Sequence, residues 1–227
     1  MKQTGVVTVG SINIDLVVYA QRRPLPGETL TGEKFTISAG GKGANQAVQA
    51  ALSGARSSII ARIGKDSFAS LILDTFDQAG VNREFVFGDD AGTGIGHVTV
   101  DANGDYSAVI VARANGNLSP RDIDLAEPAF ARSRILLLQL EIPMKSILYA
   151  ARKAHSMDLM VFLNAAPALP LPDELLNNVD VLIVNEIEAQ MMTGIEVGRD
   201  IESCYPALEK LAASVPNVVL SLGARGA

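Results

Sequence analysis

The sequence predicts an α/β protein with a doubly wound, mostly parallel sheet in three layers, and three observations point there. From about residue 57 onward, short β-branched runs alternate with longer helical patterns. Several of the short runs, such as Ile135-Leu136-Leu137-Leu138, are apolar throughout, as strands covered on both faces must be. Hydrophobic residues make up 48% of the 227 positions, enough for a chain of this length to bury a sizeable core.

Strands are expected at 6–10, 58–63, 134–140, 159–164, 180–184 and 217–222, and helices at 43–53, 66–79, 120–131, 143–156, 186–192 and 201–214. The first strand is read from Val6-Val7-Thr8-Val9. The helix at 120–131 has a clear start, with Ser119 as N-cap and Pro120 at the first helical position. The helix at 201–214 carries the only cysteine, Cys204, which reads as a small buried hydrophobe. Two stretches break the alternation. Residues 12–19 and 30–37 read as extended segments around the loop Arg22-Arg23-Pro24-Leu25-Pro26-Gly27. Residues 96–100 and 106–111 flank Asn103-Gly104, a hairpin signal that favours positive φ at both positions. Alternating strands do not suit a helix-covered parallel sheet, so a small separate sheet is expected from about 12–37 and 94–111.

Charge and composition exclude several function classes. The 25 acidic residues outnumber the 19 basic ones, for a net charge of −6, and no Lys/Arg cluster is present, so nucleic acid is not an expected partner. No stretch approaches the ~20 apolar residues that span a bilayer, so no membrane partner is expected. One thiol and a polar, short N-terminus point to a cytoplasmic protein. His97 and His155 lie far apart without a ligand-type cluster, which does not suggest a metalloenzyme.

Five features carry chemistry. Gly40-Gly41-Lys42-Gly43-Ala44-Asn45-Gln46-Ala47 joins a glycine turn to a helix start, where free N–H groups can hold hydroxyls or anions. It is neither a Walker A loop nor a dinucleotide fingerprint, and spacing alone leaves a ligand loop and a plain tight turn both open. Asn13 and Asp15, two apart in an extended segment, face one side and can bracket sugar hydroxyls, although turn formation also explains such residues. Glu141 closes an apolar strand, at the end of the sheet where α/β ligand sites form. Asn185 and Glu188 follow the strand at 180–184, where helix capping accounts for much of the pattern. Ser221-Leu222-Gly223-Ala224-Arg225-Gly226 is a further strand followed by a glycine turn.

The order of these motifs, together with Gln139-Leu140-Glu141 and Asn164-Ala165-Ala166-Pro167-Ala168, strongly resembles the ribokinase branch of the pfkB carbohydrate kinase family across the whole chain. The resemblance implies one domain over 1–227 with a small β lid formed by the two irregular stretches, and a homodimer through that lid. It places Asn13, Asp15, Gly41, Lys42, Asn45 and Glu141 at sugar-binding positions. Asn185, Ser221, Gly223, Arg225 and Gly226 match nucleotide-binding positions, and Glu188 matches the acidic residue near Mg²⁺ and phosphate. The implied reaction transfers the γ-phosphoryl of ATP to the 5-hydroxyl of D-ribose, with Mg²⁺ and a role for K⁺. Fructose, deoxyribose or a nucleoside remain open as substrates, as does sugar binding without catalysis. The family's second signature, Asp-Thr-x-Gly-Ala-Gly-Asp, which supplies an anion hole and the catalytic base, does not occur in these residues. The expectation is that it lies beyond Ala227, that this chain alone is inactive, and that the strand at 217–222 leaves apolar surface open.

Overall fold

A computed structural model describes residues 5–198 and 200–227. The larger sheet has seven strands, β1 (Gly5–Val9), β4 (Arg56–Gly64), β5 (Asn82–Asp89), β8 (Ile135–Leu138), β9 (Met160–Asn164), β10 (Val181–Asn185) and β11 (Asn217–Ser221). Their order is β11-β10-β9-β8-β1-β4-β5, and every neighbouring pair is parallel. The smaller sheet has the order β3-β2-β6-β7, from β2 (Asn13–Tyr19), β3 (Lys34–Gly40), β6 (Gly94–Val100) and β7 (Tyr106–Val111). Within it β2 and β6 run parallel, while β3 and β7 pair antiparallel to them as the two edges.

Parallel neighbours need crossovers of one hand, so the direction of strand addition decides which face each helix covers. From β1 the chain adds β4 and β5 in one direction and β8 to β11 in the other. Helices α1 (Lys42–Leu52) and α2 (Ser67–Ala79) therefore cover one face. There Ile59, Ala61 and Ile63 of β4 pack with Ala44, Ala47, Ile72 and Phe76. The intervening Ile60 turns to the opposite face with Val7, Val9, Leu136 and Leu138, beneath α3 (Pro120–Leu125), α4 (Glu127–Ala131) and α5 (Met144–Ser156). The two-residue period of β4 thus shows the double layer directly. Three short helices complete the chain: α6 (Asp173–Leu176), α7 (Glu186–Thr193) and α8 (Tyr205–Ala212).

The fold class matches the expectation, with local differences. The predicted helix at 120–131 is two helices that meet at Ala126, because Pro128 cannot donate a backbone hydrogen bond and crowds the preceding turn. Ser119 does stand at the N-cap, where its backbone N–H and hydroxyl both donate to Asp122 Oδ2 at 2.8 Å. The helix expected at 201–214 starts as a 3-10 turn at Glu202–Cys204 and becomes α-helical at Tyr205, with Pro206 in its first turn. Cys204 is buried there. Strand β5 was not expected, since only Phe85, Val86 and Phe87 interrupt its polar edge pattern. At Asn103-Gly104 only Gly104 takes positive φ (85°). Asp101 Oδ1 instead accepts from Asn103 N and Asp105 N, and Gly104 N donates to Asp101 O, the three-residue hairpin closed by a left-handed glycine. At the β11 edge of the large sheet Val219 is 40% exposed, and Ile201, Tyr205 and Leu222 line an open groove of about 400 Å³ beside it.

Two of the four chain crossings between the sheets form stems, one through β5–β6 and one through the 3-10 turn Arg113–Asn117 that follows β7. Arg62 of β4 ties them together. Its Nη1 donates to Asp89 Oδ2 at 2.9 Å, and its Nε and Nη2 fork onto Asp122 at 2.9 and 2.8 Å. Asn117 Nδ2 also reaches the Asp89 carboxylate, at 3.1 and 3.2 Å. Burial opposes ionisation of Asp122, but hydrogen bonds from Arg62 and Ser119 outweigh it and hold its pKa below the usual range. Asp89 is lowered by the Ala91 backbone N–H, with help from Arg62 and Asn117. On the second stem Arg113 (φ 44°) donates to Ala91 O at 2.9 Å and Thr93 O at 3.0 Å, clamping the entry to β6 against the exit from β7.

Replacing Arg62 by Ala strands two buried carboxylates, and the expected cost is about 3 kcal/mol, or roughly 6–12 °C in Tm for a domain of this size. Both carboxylates have lowered folded pKa values, so their contribution is present above the unfolded value of ~3.9 and is lost as pH falls through the folded values. Thermal melts of wild type and Arg62→Ala should therefore be well separated at pH 7 and converge below about pH 4. A constant gap across that range would contradict the ion-pair account.

Candidate functional site

In an open parallel sheet, ligand sites form beyond the carboxyl ends of the strands. Here the chain leaves β1 at Gly10 and enters the small sheet at Asn13, passing directly over the first turn of α1. The two backbones touch. A Cβ on Gly43 would lie 2.6 Å from Gly10 C and Ser11 N, and one on Gly41 (φ 92°) would lie 2.7 Å from Asn13 N. Three bonds close the contact: Ala44 N donates to Ser11 O at 2.9 Å, Gly43 N to Ser11 Oγ at 3.3 Å, and Lys42 N to Glu141 Oε2 at 3.1 Å. Ser11 Oγ donates to the same Glu141 oxygen at 2.5 Å. The expectation of free amides at this helix start is thus corrected, because the first-turn N–H groups are engaged by Ser11 and Glu141. The carboxylate sits where the helix dipole favours negative charge.

Asp15 lies beyond this junction, in a slot made by absent side chains. A Cβ at Gly40 would lie 2.2 Å from Asp15 Oδ2, and one at Gly96 would lie 2.3 Å from Oδ1. Among the described residues none donates a hydrogen bond to this half-buried carboxylate. Burial raises its pKa, the Glu141 charge raises it further, and Lys42 partly opposes both. Asn13 is seated in the same way over Gly94, whose Cβ would lie 2.2 Å from Asn13 Oδ1. That oxygen accepts from Asn115 Nδ2 at 2.8 Å. Gly94 and Gly96 make room for the two polar side chains on the neighbouring strand.

Ser11, Asn13, Asp15, Gly41, Lys42 and Glu141 therefore converge at one junction. Asn45 stands apart from this bonding, with an exposed side chain in the first turns of α1 and its N–H on Gly41 O. The second group lies at the carboxyl ends of β10 and β11. Asn185 Oδ1 accepts from Glu188 N, and Asn185 N donates to Glu188 Oε2, each at 2.8 Å, forming a capping box at the start of α7. Arg225 Nη2 pairs with Glu186 Oε1 at 2.6 Å, Ser221 Oγ donates to Val184 O at 3.3 Å, and Gly223 and Gly226 take φ of 59° and 98°. Four strand spacings, roughly 19 Å, separate β1 from β11, so the two groups are the ends of one long rim. Asn115 was not singled out as a site residue; its side-chain partners are 102 and 103 residues away in the chain.

Residues 3–227 match the pfkB family carbohydrate kinase. The chain is 37% identical over 227 residues to a ribokinase of Haemophilus influenzae, covering 100% of this chain and 74% of that protein. It is 31% identical over 224 residues to a deoxyribokinase of Salmonella typhi, covering 98% and 73% of the two chains. Among solved structures, Arabidopsis thaliana ribokinase complexed with ribose and ATP superposes with a TM-score of 0.84 at 30% identity, covering 97% of this chain and 72% of that one. The chain belongs to the pfkB family of carbohydrate kinases.

Proposed function

We propose that these residues form the sugar-binding part of an ATP-dependent kinase that transfers the γ-phosphoryl group to the 5-hydroxyl of D-ribose. The observation that carries the reading is the Asp15 carboxylate, half-buried, raised in pKa and without a protein donor, beside the Asn13 amide. A charge held in that state needs hydrogen-bond donors, and sugar hydroxyls supply them. Lys42 and Glu141 border the same space, and Gly41 and Asn45 belong to the helix start beneath it. Deoxyribose is the second substrate to test, since a deoxyribokinase is among the relatives.

The nucleotide belongs, in this reading, along the rim at Asn185, Ser221, Gly223, Arg225 and Gly226. Glu188 has one oxygen committed to the capping box, so it would reach Mg²⁺ through water or phosphate. No group of three or more His, Cys, Asp or Glu side chains among the described residues could enclose a metal, which fits an ion carried by phosphates. K⁺ is part of the proposal, with no residue of this chain assigned to it. In the transfer the hydroxyl oxygen bonds to phosphorus as the bond to ADP breaks, and the hydroxyl proton needs a base. We place that base and the anion hole in the family's second signature, which is not found among these 227 residues. Phe35, Ile37, Val109 and Val111, exposed by 44–65% on one face of the two edge strands, support a homodimer through the small sheet acting as a lid. A cytoplasmic location completes the reading; among the described residues no helix is long and apolar enough to cross a membrane.

Calorimetric titration of the 227-residue chain should show saturable D-ribose binding while a coupled assay with ATP, Mg²⁺ and K⁺ shows turnover reduced by several orders of magnitude. Clear turnover would place the base within these residues, and absence of ribose binding would remove the sugar assignment. Asp15→Asn should weaken ribose roughly 10- to 100-fold, as loss of a charge-assisted hydrogen bond does. The same change should raise the Tm of the ligand-free protein at pH 7. Because the folded pKa is raised, the ionised form destabilises the fold, and the Tm gap should close as pH falls through that folded value. For the lid, Val109→Asp should shift sedimentation from dimer to monomer, whereas an unchanged profile would place the contact elsewhere.

A further inference from the structure

We propose that Asn115 is a positioning residue that fixes which end of the Asn13 amide faces the ligand, making Asn13 a donor beside the acceptor Asp15. The proposal rests on the sugar-binding reading of these two residues. Asn115 is 1% exposed and its side chain makes three hydrogen bonds. Its Oδ1 accepts from Ile12 N at 2.8 Å, and its Nδ2 donates to Ile12 O at 3.0 Å and to Asn13 Oδ1 at 2.8 Å.

The orientation follows from backbone chemistry. A peptide N–H can only donate and a peptide C=O can only accept, so the two bonds to Ile12 leave Asn115 one allowed orientation. Both protons of its Nδ2 are then committed, one to Ile12 O and the other to whichever Asn13 atom stands opposite. Only the carbonyl oxygen of Asn13 can accept it. The Asn13 Nδ2 is thereby turned away from Asn115, and among the described residues it has no acceptor. Gly94 keeps the pair in register, since a Cβ there would lie 2.2 Å from Asn13 Oδ1 and 2.3 Å from Asn115 Nδ2. Asn115 itself is carried on the 3-10 turn whose neighbours Arg113 and Asn117 are bonded to the other stem.

The consequence is selectivity for hydroxyls. A hydroxyl accepts from Asn13 Nδ2 with a lone pair and donates its single proton to Asp15. A reversed Asn13 amide would set two acceptors against one proton, which weakens the hold on any single hydroxyl that bridges the two side chains.

The test uses D-ribose titrations of wild type, Asn115→Asp, Asn13→Ala and the double variant. Asp at 115 keeps an acceptor for Ile12 N but has no donor for Asn13 Oδ1, which frees or reverses the amide. The expected result is roughly 10- to 100-fold weaker binding for Asn115→Asp, and little further loss when it is added to Asn13→Ala, since a residue acting through Asn13 has nothing left to position. Wild-type affinity in Asn115→Asp, or losses that multiply in the double variant, would overturn the proposal. Side-chain amide exchange by NMR on the ligand-free wild type tests it independently of folding of the variants and of the substrate. Both Asn115 amide protons should be protected, and more strongly than those of Asn13, which is itself only 1% exposed but has no acceptor among the described residues; rapid exchange at Asn115 would sink the idea. If wild type binds no ribose while Asn115 is protected, the substrate assignment fails and the lock stands.

Discussion

Every candidate sugar contact depends on one close approach, the backbone of residues 10–13 lying against the first turn of α1 with no side chain between them. Glycine at 41 and 43 permits it, since either Cβ would fall within 2.7 Å of main-chain atoms. Once the segments touch, Ser11 is placed to share Glu141 with Lys42 N, so β1, α1 and the loop after β8 are joined at one carboxylate. The chain continuing from this contact becomes β2, and its first and third residues are Asn13 and Asp15. The site is the place where one strand leaves the large sheet and enters the small one.

Holding an unpaired carboxylate at such a place costs stability, and the surrounding structure offsets the cost by rigidity. Asp15 cannot turn away to solvent easily, because strands on both sides present glycine and close around it. The strands are held in turn by stems tied together through charged and polar side chains. Arg62 bonds Asp89 and Asp122, Asp89 bonds Asn117 and Ala91 N, and Arg113 bonds Ala91 O and Thr93 O. This network is a structural support of the site and makes no direct contact with Asp15.

What was legible in the sequence divides along physical lines. The parallel sheet was readable because strands covered on both faces must be apolar throughout, as 135–138 is. Local rules failed where a second local rule competed: Pro128 split a helix that periodicity alone would continue, and Asp101 took over a turn assigned to Asn103-Gly104. The glycine loop and the Asn13/Asp15 pair were visible, but the use of the helix amides was not, because the groups that engage them come from Ser11 and from Glu141 far along the chain. Gly94 and Gly96 carried a signal, two glycines spaced by two within a strand, whose meaning appears only when the neighbouring strand is known. Asn115 was given no role in the site, because the groups it bonds lie far along the chain.

The two ends of the rim are built by different means, and this bears on how they respond to change. The capping box of Asn185 and Glu188 closes over three residues and needs little beyond the local turn. The Asn13–Asn115 bond spans 102 residues, and the Ser11–Glu141 bond spans 130. Loop-closure entropy makes such contacts available only after both sheets have assembled. The capping box at Asn185 can therefore keep its local form when the stems loosen, while the junction at Asn13 and Asp15 cannot. A substitution at a stem that leaves the fold intact should be felt first at Asn13 and Asp15, because their orientation, and not merely their presence, is what the distant contacts supply.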